Sequence, residues 1–189
     1  NGINTTPTKE NDLDIRESLG MGNNPLCIML GNYESRKGHQ FIFEAFRLVV
    51  QSVPNAHLVI CGGGTKDEVA KVNHIKEKYI LNNVHLLGFI PNGASLINQA
   101  DVLLIGSQEF ESFGLTAVEA MIRRKPIVTT DTGGLPEVVG SDNTSGYVID
   151  RKDIIKFSKN FWTILLNDLV IKIRDRAQKD RKNNKGQSF

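Results

Sequence analysis

Four times in its first 106 residues this chain passes through four or five mostly apolar residues and halts on glycine. Leu26–Leu30 meets Gly31, His57–Cys61 meets Gly62, residues 84–87 meet Gly88, and Val102–Ile105 meets Gly106. Such runs suit strands covered on both faces. Two more follow at residues 126–129 and 147–149. Between them lie amphipathic stretches. Residues 41–53 place apolar side chains at 42, 45, 46, 49, 50 and 53, the three-and-four spacing of a helix. The pattern predicts further helices over residues 66–79, 94–99 and Leu115–Ile122, a short helical piece after Pro136, and a helix from Ile154 to about Lys182. Strands alternating with helices specify an α/β fold, a Rossmann-like doubly wound parallel sheet of about six strands.

The chain's 189 residues are one domain's worth, enough to bury a core without disulfide or metal staples. Cys27 and Cys61 both lie within strand runs, at no metal-ligand spacing, and read as buried thiols of a reducing, cytoplasmic compartment. No apolar run approaches the 18 residues of a membrane span, and the polar start lacks the pattern of a signal peptide. The net charge of +2 hides an asymmetry: residues 1–150 carry −5 and residues 151–189 carry +7. A basic tail can meet anionic lipid, so peripheral contact with the inner face of a membrane stays open beside a plain solvated helix face. No aromatic-plus-basic module supports a nucleic-acid partner.

In a doubly wound sheet, ligands bind beyond the carboxyl ends of the strands. The loops there span residues 31–39, 61–67, 88–93, 106–114 and 130–137, and four of the five are rich in glycine. They match no dinucleotide fingerprint, no phosphate-binding P-loop and no nucleophile elbow. The four histidines, at 39, 57, 74 and 85, read as scattered, with no triad or metal cluster.

The most informative stretch is ESFGLTAVEAM at residues 111–121. Glu111 follows a strand, Gly114-Leu115 opens a helix, and Glu119 lies about one turn inside it. A helix N-terminus offers free N–H groups to an anion. Carboxylates accept hydrogen bonds from vicinal hydroxyls. The order suits a nucleotide sugar; a solvated Glu111 and a surface Glu119 fit the spacing equally well.

Glu111-x7-Glu119, then Pro126-Ile127-Val128 and Gly133-Gly134-Leu135-Pro136-Glu137, resemble the retaining GT-B glycosyltransferases of the family-4 type, mostly bacterial sugar transferases. GNYESRKG at residues 31–38 resembles that family's GRLxxxKG loop, and LVICGGG, VHLLGFI and ADVLLIGS follow in family order. The start, Asn1-Gly2-Ile3-Asn4, resembles the segment leading into the carboxyl-terminal domain.

The resemblance implies one half of a GT-B fold: an interdomain lead-in over residues 1–25, a nucleotide-sugar-binding domain over 26–150 and a helical segment over 151–189, with the acceptor domain outside the chain. It implies an NDP-sugar-dependent hexosyltransferase that works with retention in polysaccharide or glycoconjugate synthesis, using a UDP- or GDP-sugar and a saccharide or lipid-linked acceptor. The chain alone is expected to be inactive. By family role, Glu111 contacts the donor sugar at the reacting centre and Glu119 binds the ribose. Phe113, Gly114, Leu115 and Thr116 border the diphosphate, Lys37 neutralises it, and Phe89 and Ile90 lie near the base. No cofactor and no metal are implied. Asn32 stands where the family has arginine, leaving open whether Arg36 compensates. A GT-B-fold sugar-nucleotide epimerase and a non-catalytic nucleotide-sugar-binding module remain alternatives.

Overall fold

A computed structural model describes residues 13–166. Its six strands are β1 (Leu26–Leu30), β2 (His57–Cys61), β3 (Val84–Gly88), β4 (Val102–Ile105), β5 (Ile127–Thr130) and β6 (Gly146–Ile149). All pairs are parallel, in the order β3-β2-β1-β4-β5-β6. The helices are α1 (Ile15–Ser18), α2 (His39–Val50), α3 (Lys66–Lys78), α4 (Leu115–Ile122), α5 (Leu135–Val139) and α6 (Ile154–Leu166), with 3-10 turns at Ser35–Lys37 and Gly93–Gln99.

Alternate strand residues feed two cores, as both-face burial requires. Cys27, Met29, Leu58, Ile60, Val102 and Leu104 point to one side, against α2, α3 and α6. Leu26, Ile28, Val59, Leu103 and Ile105 point to the other, against α1, the 93–99 turn, α4 and α5. Phe46 stacks on Phe161 at 6.3 Å between ring centres, and Phe41 meets Phe157 edge-on at 4.9 Å. The apolar face of α6 is therefore a core cover, with Phe157, Phe161 and Ile164 buried and Trp162 partly so. The predicted continuation to Lys182 lies outside the described residues.

The predicted elements shift in places. Helix α2 starts at His39 because Gly38, at φ +73°, takes the left-handed conformation that opens it. Residues 94–99 form a 3-10 turn, not an α-helix; it begins at Gly93 after Asn92 in left-handed geometry and seats Leu96 and Ile97 in the core. Helix α1 is absent from the sequence reading. Asp14 caps it by accepting from the Glu17 N–H, Ile15 is buried, and Arg16 pairs with Asp101 at 3.0 Å.

The strand order runs outward in both directions from the β1–β4 neighbours. That seam is the topological switch point, where chain connections diverge and leave a crevice at the carboxyl edge.

Candidate functional site

The switch point brings the loop after β1 against the loop after β4. A Cβ on Gly38 would sit 1.9 Å from the Gly106 carbonyl oxygen, so only glycine permits the approach, and the Gln108 N–H donates to the Arg36 carbonyl at 2.8 Å. Across this contact Lys37 Nζ donates to Glu111 Oε2 at 2.6 Å. The two side chains retain 19% and 14% of their exposure, so the pair is mostly screened from water while still open to a ligand.

Glu111 is held from beneath as well. The hydroxyl of fully buried Ser107 donates to the same carboxylate oxygen at 3.1 Å. The Ser107 carbonyl in turn accepts from the hydroxyls of Thr130 and Thr132, each at 2.6 Å. The Glu111 carbonyl accepts from the Gly134 N–H at 2.9 Å, and a Cβ on Gly133 would lie 1.9 Å from that carbonyl oxygen. The β5–α5 loop is thus a floor under the catalytic candidate.

Gly114, at φ +75°, opens α4, leaving the N-terminal N–H groups of Leu115 and Thr116 at the edge of the crevice. Phe113 and Leu115 are about half exposed beside them. Glu119 lies one turn in, partly buried, and burial pushes its carboxyl up from the usual range despite Arg123. Arg36 is turned toward Glu34 (2.5 Å) and the Phe110 carbonyl (3.2 Å). Its bond holds the Glu34 carboxyl low and the guanidinium high. Asn32 shares that carboxylate at 3.3 Å. Phe89 and Ile90 follow β3, two strands from the switch point; Phe89 is strongly exposed and adjoins Gly63, while Ile90 packs on the core.

The structure therefore gathers Lys37, Arg36, Glu111 and the start of α4 in one place. Phe89 and Ile90 share the carboxyl edge but stand further along it. The sequence reading passed over Ser107, Thr130, Thr132 and Glu34. One signal for Ser107 was available: it is the first side-chain polar group after a buried strand, four residues before Glu111. The histidines are not all scattered. His57 Nδ1 lies 3.0 Å from His85 Nε2, because parallel register sets β2 and β3 side by side. That pair is near the amino ends of its strands, opposite the crevice. Among the described residues, no group of three or more histidine, cysteine or acidic side chains converges as metal ligands, and no helix is long and apolar enough to cross a membrane.

A six-stranded parallel sheet with polar loops knitted at its switch point is a Rossmann-like nucleotide-site architecture. The chain belongs to the glycosyl transferases group 1 family, whose model matches residues 11–184. It is 31% identical over 142 residues to the poly(glycerol-phosphate) alpha-glucosyltransferase of Bacillus subtilis, covering 75% of this chain and 21% of that one. It is 33% identical over 128 residues to the N-acetyl-alpha-D-glucosaminyl L-malate synthase of Bacillus anthracis, covering 68% and 32%. Among solved structures, a mutant of S. aureus TarM in complex with fondaparinux, alpha-GlcNAc-glycerol and UDP superimposes with a TM-score of 0.72 at 25% identity, covering 82% of this chain and 31% of that one. The chain spans about a fifth to a third of the length of these relatives. The sheet is the Rossmann-like half of a GT-B fold.

Proposed function

We propose that the chain is the donor-binding domain of a glycosyltransferase that moves a hexosyl unit from a nucleoside-diphosphate sugar to a saccharide or lipid-linked acceptor, with retention, in the synthesis of a surface polysaccharide or glycoconjugate. The observation that carries the reading is the Lys37–Glu111 pair, 2.6 Å apart across the switch point beside the open end of α4. A cation, a carboxylate and free backbone N–H groups side by side suit the reacting end of a sugar diphosphate.

In this reading the diphosphate lies at the start of α4. Lys37 has three donors and can hold Glu111 and a phosphate oxygen together. As the glycosidic bond breaks, negative charge grows on the diphosphate; Lys37 and the α4 terminus stabilise it in a mostly screened site. Glu111, fixed by Ser107, accepts from donor-sugar hydroxyls and steadies the developing positive charge at the anomeric carbon. Glu119 takes the ribose hydroxyls, and the base runs toward Phe89 and Ile90. The acceptor and its domain come from outside this chain, so the chain binds donor and transfers nothing by itself. The superimposed TarM mutant is in complex with UDP, which supports a nucleotide ligand for this chain.

Asn32 favours a second reading, a nucleotide-sugar-binding module without transfer. Its amide bonds Glu34, so the cation that the family resemblance implies at this position is missing.

Calorimetric titration of the chain with UDP, GDP and ADP tests the proposal. One nucleotide binds, and Glu119→Ala weakens it at least tenfold, about 1.4 kcal/mol. No binding to any of the three overturns it. Glu111→Gln in the full two-domain protein separates the readings: an enzyme keeps donor binding and loses transfer, whereas a module shows no transfer with or without the substitution.

A further inference from the structure

Five charged side chains meet where the loops after β1 and β4 cross. Lys37 and Arg36 face Glu34, Glu109 and Glu111, two cations against three carboxylates. A cluster with surplus negative charge repels a diphosphate. A carboxylate must therefore release its cation before the proposed donor can settle there. Glu111 is poorly suited to leave: its side chain keeps 14% of its exposure, and it accepts from both Lys37 and the Ser107 hydroxyl. Glu34 is the opposite case. Its side chain keeps 35% of its exposure and bonds only its loop neighbours, Arg36 at 2.5 Å and Asn32 at 3.3 Å. It stands at the N-cap position of the 3-10 turn Ser35–Lys37, yet its carboxylate caps no N–H there. The turn does not need the carboxylate; the guanidinium holds it.

Arg36 is held below its capacity. Nε donates to Glu34, and Nη1 donates to the Phe110 carbonyl at 3.2 Å, one residue before Glu111. Nη2 has no partner among the described residues. A guanidinium grips a phosphate with two parallel bonds along one edge. Glu34 takes one corner of the Nε–Nη2 edge and leaves the other open. The Gln108 N–H, donating to the Arg36 carbonyl at 2.8 Å, ties this backbone to the β4 loop, so Arg36 stays at the crossing when its counter-ion leaves. We propose that Glu34 is a resident placeholder anion, which holds Arg36 at the crossing while the donor is absent and yields the guanidinium to the diphosphate on binding. Glu34 then turns to water, and Arg36 joins Lys37 as a second cation. The exchange favours a diphosphate over a monophosphate, since in the proposed pose the phosphate nearest the sugar stands beside both cations. The inference rests on the proposed donor site and adds to it a contact that occludes the site until the donor arrives.

The test is calorimetry with UDP and UMP, or with the diphosphate and monophosphate of whichever base binds, on wild type, Glu34→Gln, Arg36→Met and the double variant. Salt at about 0.15 M screens distant charges. Arg36→Met is expected to weaken UDP about tenfold and to leave UMP within twofold. Glu34→Gln is expected to tighten UDP about threefold or more, a gain that disappears in the Arg36→Met background. The Arg36 Nε–Hε NMR signal, assigned by its loss in Arg36→Met, moves with UDP and with Glu34→Gln and stays in place with UMP. The pair is exposed, so all variants are expected to melt close to wild type. Equal losses of UDP and UMP in Arg36→Met would make Arg36 a staple for the Phe110 carbonyl and overturn the proposal. An equal gain from Glu34→Gln with and without Arg36, or an Nε–Hε signal unmoved by UDP, overturns it too. A wild type that binds no nucleoside diphosphate overturns the donor site and the exchange together; a wild type that binds one, with the variants unchanged, overturns the exchange alone.

Discussion

Gly133→Ala tests whether the β5–α5 loop is the floor that holds Glu111. Gly133 sits at φ +58°, and an added Cβ would stand 1.9 Å from the Glu111 carbonyl oxygen. Two costs follow. Left-handed backbone disfavours alanine by about 1–2 kcal/mol. The clash is relieved only if the two loops part by roughly 1 Å in a region packed at crystal density, which breaks the 2.9 Å bond from the Gly134 N–H and adds about 1 kcal/mol. The expected destabilisation is about 2–3 kcal/mol by urea unfolding. Gly22→Ala is the internal control: its φ is +54°, yet no atom lies within 4 Å of the added carbon, so it carries the backbone cost alone. In the two-domain transferase proposed above, a displacement of this size at Glu111 is expected to lower transfer on the order of a hundredfold. If Gly133→Ala unfolds with the same free energy as Gly22→Ala, or transfers at the wild-type rate, the β5–α5 loop does not position Glu111.

Two further expectations come from side chains. Ser107→Ala removes one of two donors to Glu111 Oε2 and lowers the transfer rate about tenfold, with donor affinity within twofold of wild type; a loss of affinity at unchanged rate contradicts a positioning role. Burial pushes His39 from 6.5 down to about 4, so the native state binds fewer protons than the unfolded chain between those values. Stability is therefore full above pH 6.5 and falls by about 3 kcal/mol as pH drops toward 4. His39→Leu removes that part of the slope, and an identical slope in the variant places the titrating group elsewhere.

Much of the frame was legible because burial on both faces leaves a plain record. Val102–Ile105 and Leu115–Ile122 fall where apolar runs and spacing put them, since nothing competes with local pattern there. Helix α1 was not legible: four residues hold one buried side chain, too few for a period, and its anchor is the tertiary pair with Asp101. The site divides in the same way. Lys37 and Glu111 were visible as motif residues, but their contact depends on β1 and β4 being neighbours. Thr130 and Thr132 acquire a role only because β5 flanks β4 and brings their hydroxyls to the Ser107 carbonyl. The His57–His85 pair likewise depends on strand register that single residues do not record.

The proposed function rests on a contact between Lys37 and the diphosphate of a nucleotide-sugar donor. Its most direct measurement is paired calorimetry of wild type and Lys37→Met with UDP and with UMP, or with the diphosphate and monophosphate of whichever base binds. Lys37→Met is expected to weaken the diphosphate about tenfold and to leave the monophosphate within twofold, since in the proposed pose the ammonium meets the phosphate nearest the sugar. Equal loss for both, or none for either, contradicts it.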